Sequence, residues 1–139
     1  MPPRRNNPGP FLFRLDLHTG VPVYRQIIDQ VMVGIAAGSL STGQQLPTVR
    51  QLAVDLSVNP NTVARAYREL EIRGVLTTQQ GSGTFISGKK PDLSEADRQR
   101  RLDELVGDFL ARAGSAGFTI KELLQTIESF DPGTKKNRR

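Results

Sequence analysis

Apolar and polar residues follow one another along this chain with two different periods, and the changes of period mark out its elements. From Phe13 to Leu17 apolar and charged residues alternate, so the run Phe11–Leu17 predicts a short strand. His18-Thr19-Gly20 reads as a turn. Pro22 suits the first turn of a helix. After it Val23, Ile27, Ile28, Val31, Met32 and Ile35 make a broad apolar stripe at helical spacing, which Gly38 closes. The width of the stripe predicts a helix covered on more than one side, with Met32 as core filler. The polar stretch 39–45 predicts a loop. Thr48 and Gln51 then have the spacing of a capping box, leading into a short helix through Leu52, Ala53 and Leu56.

A second helix follows after Ser57-Val58-Asn59. Asn59 can cap it through its side-chain oxygen, and Pro60 sits at the first helical position, where a missing N–H costs nothing. Val63, Ala66, Tyr67 and Leu70 fall on one face, and Asn61, Ala64, Arg65 and Arg68 on the other. Gly74 can end the helix in a left-handed conformation. Two short helices joined by a tight turn predict a helix-turn-helix. Val75–Gln80 and Gly83–Ser87 are β-rich runs separated by Gly81-Ser82, the mark of a hairpin. A hairpin placed there makes the unit a winged helix, with Gln80, Gly81 and Ser82 at the wing tip. Gly81 carries no side chain to hold backbone away from a phosphate or a minor groove.

Gly88-Lys89-Lys90-Pro91 is a hinge by composition. Ser94 caps a further helix with Glu95 and Asp97 in its first turn, where the dipole favours them. Leu102, Leu105, Val106, Phe109, Leu110 and Ala113 form its apolar stripe. Gly114–Gly117 is a turn, and Thr119 with Glu122 forms a second capping box. Ile120, Leu123, Leu124 and Ile127 give another stripe, with Phe130 near its edge, and Asp131-Pro132-Gly133 is a stop signal. Two helices cannot bury both stripes well against each other, so Leu102, Leu105, Val106, Phe109, Leu110, Ile120, Leu123, Leu124 and Ile127 are expected to form a homodimer surface. The expected fold is mainly α with a small β-hairpin: an N-terminal winged helix-turn-helix followed by a short two-helix dimerisation hairpin. Its parts are a flexible arm at 1–10, the DNA-binding domain at 11–88, a linker at 89–93, the dimerisation region at 94–131 and a basic flexible tail at 132–139.

Composition narrows the chemistry. The chain has 139 residues, no Cys and one His, His18. Thiol nucleophiles and cysteine zinc sites are excluded, a histidine metal site or triad has no partners, and His18 is read as a turn residue. No cofactor or metal is expected. Ser82 lies between glycines without a neighbouring base, and no Lys-Ser/Thr follows to complete a Walker loop, so an enzyme is not expected. No apolar run is long enough to span a membrane, and the N-terminus lacks the apolar core of a signal peptide. A soluble, cytoplasmic protein is the expectation. The net charge is +5 and unevenly placed: residues 1–90 hold ten Lys/Arg against five Asp/Glu, and residues 91–134 hold five against nine. The positive field lies on the segment with the outward-facing arginines, as a polyanionic partner would favour. Arg50 opposes the dipole of the helix it starts, so local stability does not explain it. A contact to DNA and a salt bridge to a distant acid are the two readings left open.

The segments Pro22-Val23-Tyr24-Arg25-Gln26-Ile27, Leu46–Ala53, Val58–Glu71 and Gly81-Ser82-Gly83-Thr84-Phe85 together resemble the GntR family of bacterial transcription regulators. The Asn-Pro-Asn-Thr-Val run and the very short helical C-terminal region are most similar to its YtrA subfamily. The resemblance implies an N-terminal winged helix that binds an operator of inverted half-sites in double-stranded DNA, and a C-terminal region that dimerises. Most members are repressors. It places Arg50 at the arginine that starts the first motif helix, Asn59, Asn61 and Thr62 at the polar residues opening the recognition helix, and Gln80 and Gly81 at the wing tip. Many relatives carry arginines early in the recognition helix, where this chain has Pro60 and Ala64; Arg65 is the nearest substitute. The expected DNA-binding set is therefore Thr48, Arg50, Asn59, Asn61, Thr62, Arg65, Arg68, Gln80, Gly81 and Ser82. About 40 residues are too few for the effector domain of larger family members, which leaves a small-molecule effector at the dimer interface possible and its identity unknown. The competing reading is a winged-helix protein-interaction module that does not bind specific DNA sequences.

Overall fold

Three helices and a small sheet enclose one apolar core in the N-terminal part of the chain. The computed structural model describes residues 11–130, so the proposed arm at 1–10, the tail at 132–139 and the stop signal at 131–133 lie outside the described residues. The chain divides into two units, Met1–Lys89 and Lys90–Arg139. In the first, α1 (Val23–Ala36), β1 (Gln45–Leu46), α2 (Val49–Leu56), α3 (Pro60–Ile72), β2 (Leu76–Gln79) and β3 (Gly83–Ile86) follow in order; the second holds α4 (Glu95–Ser115) and α5 (Ile120–Glu128). The arrangement is mainly helical, as the periodicities predict.

The core is built by the faces that the spacing marks. Ile27, Ile28 and Val31 of α1, Leu52 and Ala53 of α2, and Val63, Ala66, Tyr67 and Leu70 of α3 are buried together with Leu40, Leu46, Leu76 and Ile86. α3 packs against α1, α2 and β2 and is the centre of the unit. Thr48 and Gln51 form the reciprocal capping box, Asn59 caps α3 with Pro60 in its first turn, and Gly74 follows the helix at φ +78°. The turn between α2 and α3 places Ser57 at φ +57°.

Four local expectations are corrected. The sheet has three antiparallel strands in the order β1-β3-β2, rather than a hairpin alone. Gln45 faces Phe85 and Leu46 faces Thr84, while Leu76 faces Ile86 and Gln79 faces Gly83. β1 straddles the end of the stretch read as a loop, and Leu46 is buried in the core beside it. Second, Phe11–Leu17 is not a strand. It has no strand beside it; two α1 glutamines satisfy its backbone instead. The Gln30 side chain accepts from the Arg14 N–H at 2.8 Å and donates to the Arg14 carbonyl, and Gln26 does the same for Asp16. Phe11 and Phe13 turn inward and meet edge to face at 4.9 Å. Third, Met32 and Ile35 are over a third exposed, because the buried line of α1 runs through Gly34 instead. A Cβ on Gly34 would lie 2.7 Å from Phe11 and 2.9 Å from Leu40, so the missing side chain is what lets both pack there. Fourth, Pro22 stands at the N-cap of α1 and the helix starts one residue later.

In the second unit Ser94 caps α4 and the Thr119–Glu122 capping box starts α5, with Gly117 at φ +90° in the turn between them. The two helices do not pack along their lengths. Of their described apolar residues only Ala113 is buried; Leu110 and Leu123 are half-buried, and Leu102, Leu105, Val106, Phe109, Ile120, Leu124 and Ile127 are exposed.

Candidate nucleic-acid interface

The N-terminus of α3 is a capped, polar surface of the first unit. Asn59 Oδ1 accepts from the Asn61 N–H at 2.8 Å. That bond engages the Asn59 oxygen in the cap and leaves its NH₂ donors outward. Asn61 is exposed and Thr62 half-buried, with the Thr62 N–H directed to the Asn59 carbonyl at 3.0 Å. Arg65, one turn on, and Arg68, two turns on, are exposed on the face opposite the buried stripe, and Ala64 beside them is half-buried. Pro60 has no N–H, and the Asn61 and Thr62 N–H groups are taken by Asn59, so this helix start offers an anion its positive dipole and the Asn61 and Thr62 side chains. The arginines extend that polarity along the helix.

α3 is held in place by a buried phenol. Tyr67 is 2% exposed, and its hydroxyl donates to the Pro47 carbonyl at 2.7 Å. Burial pushes the phenol well above its usual range, since the phenolate has no place in an apolar core. The bond ties α3 to the residue just before Thr48, and so fixes the start of α2 relative to α3. Arg50 is exposed in that first turn. Among the described residues the ion pairs are Arg73 with Glu69 and Arg100 with Asp97. Arg50 is in neither, so no ion pair among the described residues accounts for its position. Thr48 Oγ1 accepts from the Gln51 N–H, which leaves its hydroxyl proton free to donate. Pro47, Thr48, Arg50, Gln51, Val54 and Asp55 line an open groove at this end of α2.

The wing tip is the three-residue connection Gln80-Gly81-Ser82, closed by the Ser82 N–H donating to the Gln79 carbonyl at 3.0 Å. All three residues are exposed, and Gly81 has φ +81° with open space around it. The tip is supported from below. The Gln45 side chain donates to the Ser82 carbonyl at 3.0 Å, and Gly83, at φ +125°, lies so close that a Cβ there would sit 2.5 Å from Gln45 Nε2. Thr78 Oγ1 donates to Glu71 at 2.7 Å and fastens β2 to the end of α3.

All ten residues expected to touch DNA are thus solvent-facing or half-buried, and they lie on three features of one unit: the start of α2, the outward face of α3 with its cap, and the wing tip. Sequence reasoning missed two supporting residues. Gln45 belongs to a strand of two residues, too short to show a period. Tyr24 lies at the α1 end of the buried line, three residues before Ile27 and seven before Val31, and that spacing could have drawn attention to it. Its ring sits 3.8 Å from the Arg65 guanidinium carbon.

No described group of His, Cys, Asp or Glu could hold a metal ion, and no described helix is long and apolar enough to cross a membrane.

The profile of the family described as bacterial regulatory proteins, gntR family, matches residues 23–86. The HTH-type transcriptional repressor YtrA of Bacillus subtilis is 33% identical over 91% of this chain and 99% of its own length. The HTH-type transcriptional regulator Rv1152 of Mycobacterium tuberculosis is 46% identical over 72% of this chain and 79% of its own. Among solved structures, YtrA from Sulfolobus acidocaldarius, a GntR-family transcription factor, superposes with a TM-score of 0.54 at 31% identity, covering 73% of this chain and 99% of that one.

Proposed function

The chain belongs to the GntR family of bacterial regulatory proteins, and from that premise we propose that it is a YtrA-like, sequence-specific transcriptional repressor that binds an inverted-repeat operator as a homodimer. α3 enters the major groove with its N-terminus foremost. Asn61 and Arg68 face base edges, the Thr62 hydroxyl takes a phosphate at the positive start of the helix, and Arg50 contributes from the start of α2. Thr48 and the Asn59 amide donate to backbone oxygens beside them. Gln80, Gly81 and Ser82 bring the wing to the neighbouring minor groove or its phosphates. Repression is occlusion of the promoter. The protein acts in the cytoplasm, without a catalytic step.

One observation carries the DNA reading: Arg50, in the first turn of α2, and Arg68, on the outward face of α3, stand exposed and outside both ion pairs of the described residues. An arginine in a first helical turn is locally unfavourable, and a polyanion removes that penalty. The homodimer is supported by the second unit. Leu105 is 67% and Phe109 48% exposed on α4, with Ile120 and Leu124 of α5 similarly open, and α4 and α5 do not cover each other.

The test is selection of bound duplexes from a random pool at near-physiological salt. An enriched inverted repeat is expected. Absence of any enriched sequence, with weak binding controlled by salt alone, overturns the proposal in favour of another partner for the winged helix.

A further inference from the structure

Arg65 does not extend freely away from α3. Its guanidinium carbon lies 3.8 Å above the centroid of the Tyr24 ring. Tyr24 belongs to the first turn of α1 and is itself packed against the core, so the ring is a fixed platform. A guanidinium stacked on a ring uses its π face, while its five N–H donors point outward in its own plane. Among the described residues neither salt bridge includes Arg65, and the residue is exposed. The result is a charge oriented before any ligand arrives, with its donors still available.

Its place decides what it can touch. Arg65 is four residues beyond Asn61 and three beyond Thr62, so all three share one side of the first turns of α3. Stacking on Tyr24 draws the guanidinium sideways toward α1, off the outward line of the recognition helix. A group held there meets the wall of a groove, where the phosphates are, rather than its floor. We propose that Tyr24 and Arg65 form a preassembled phosphate clamp on the α1 flank of the recognition helix, with Arg65 the contact group and Tyr24 its positioning residue. The inference rests on the DNA-binding reading above. It assigns Arg65 to affinity and leaves sequence discrimination to other residues.

The test uses the full chain and two duplexes, one enriched from the random pool and one scrambled at the same composition, each titrated over a salt series. R65A is expected to weaken both duplexes by a similar factor and to lower the slope of log K against log salt by about one unit. Y24L is expected to weaken both about two- to fivefold, the worth of an exposed cation–π stack. Y24F keeps the ring and stays within about twofold of wild type. On the R65A background, Y24L adds nothing. In the free protein, the Arg65 δ protons are shifted upfield by the ring in wild type and Y24F and return to ordinary values in Y24L.

R65A weakening only the enriched duplex would make Arg65 a base reader and overturn the clamp. Additive losses for Y24L and R65A, or Y24L binding like wild type, would reduce the stack to a staple between α1 and α3. Thermal melts identify loss of fold in Y24L, in which case Y24F and the proton shifts carry the comparison with R65A. A phosphate contact is measurable on the scrambled duplex. Failure of the selection with a normal R65A salt effect therefore refutes sequence-specific readout and keeps the clamp, whereas no binding to either duplex refutes both.

Discussion

Replacing Tyr67 by Phe removes one oxygen from the middle of the helix-turn-helix. The phenol is buried and its hydroxyl donates to the Pro47 carbonyl at 2.7 Å. Loss of that bond costs about 0.5–1.5 kcal/mol, with the half-buried Pro47 oxygen left unpartnered or hydrated. At neutral pH the variant is therefore expected to be about 1 kcal/mol less stable. The pH dependence runs the other way. Burial raises the folded phenol above the ordinary value of 10.0, so the unfolded chain releases this proton first. The stabilisation is fully present below pH 10 and is lost as pH rises beyond it. With the folded group far above the range, the loss is about 0.8 kcal/mol at about pH 10.5 and about 1.4 kcal/mol at about pH 11. Tyr67→Phe has no such proton to lose. The two stability curves should therefore cross between about pH 10.5 and pH 11. The assay is urea unfolding followed by circular dichroism at fixed protein concentration; the difference between the two proteins cancels the titration of the other groups. A constant gap from pH 7 to pH 11 would show that the phenol ionises as readily in the folded chain as in the unfolded one, and would refute its burial in an apolar core; no gap at neutral pH would remove the tie between α3 and the start of α2.

Asn59→Ala should lose about 0.5–2 kcal/mol in the same unfolding assay by deleting the α3 cap. Asn59→Asp should keep most of that stability yet bind duplex DNA more weakly in a gel-shift titration, because it sets a carboxylate where a phosphate is proposed. Gly83→Ala forces a Cβ to 2.5 Å from Gln45 Nε2 at φ +125°. It should cost about 1–3 kcal/mol of stability and reduce DNA affinity, with a normal affinity arguing that the wing is not engaged. Phe109→Glu places a charge in the proposed subunit contact; sedimentation should show monomers whose first unit melts normally, and persistent dimers would place the contact elsewhere.

The reach of sequence reasoning follows how local each feature is. α3 was readable in full, since its buried face, its Asn59 cap and its Gly74 stop all lie within one turn of the residues they act on. The capping boxes at Thr48 and Thr119 were readable for the same reason. β1 was not, because two residues show no period and their partner Phe85 comes from the far end of the unit. Phe11–Leu17 has the alternation of a strand, but being a strand requires a neighbour, and the neighbours it finds are glutamine side chains. Met32 reads as core by residue type; only the approach of Phe11 and Leu40 to Gly34 shows that the buried line passes beside it. For the candidate interface, the helix wheel indicated that Arg65 faces outward. That its guanidinium lies on Tyr24 depends on how α1 packs against α3, and no local pattern encodes that.

The proposed dimer has a quantitative role in the proposed readout. On α3 the outward base-reading candidates are Asn61 and Arg68, separated by the small Ala64, with Arg65 drawn aside to Tyr24. A good bidentate contact discriminates by about 1–3 kcal/mol, so two of them in one half-site give roughly 2–6 kcal/mol. Specific operators are usually separated from random DNA by about 4–10 kcal/mol. One winged helix reaches only the lower part of that range, and two joined copies, at roughly 4–12 kcal/mol, span it. Joining them also makes the second half-site contact intramolecular, which raises affinity without any new contact. The exposed stripes of α4 and α5 and the sparse outward face of α3 therefore bear on the same proposal: a second copy would double the few reading groups of one α3, and the second unit is a surface that a second copy can cover.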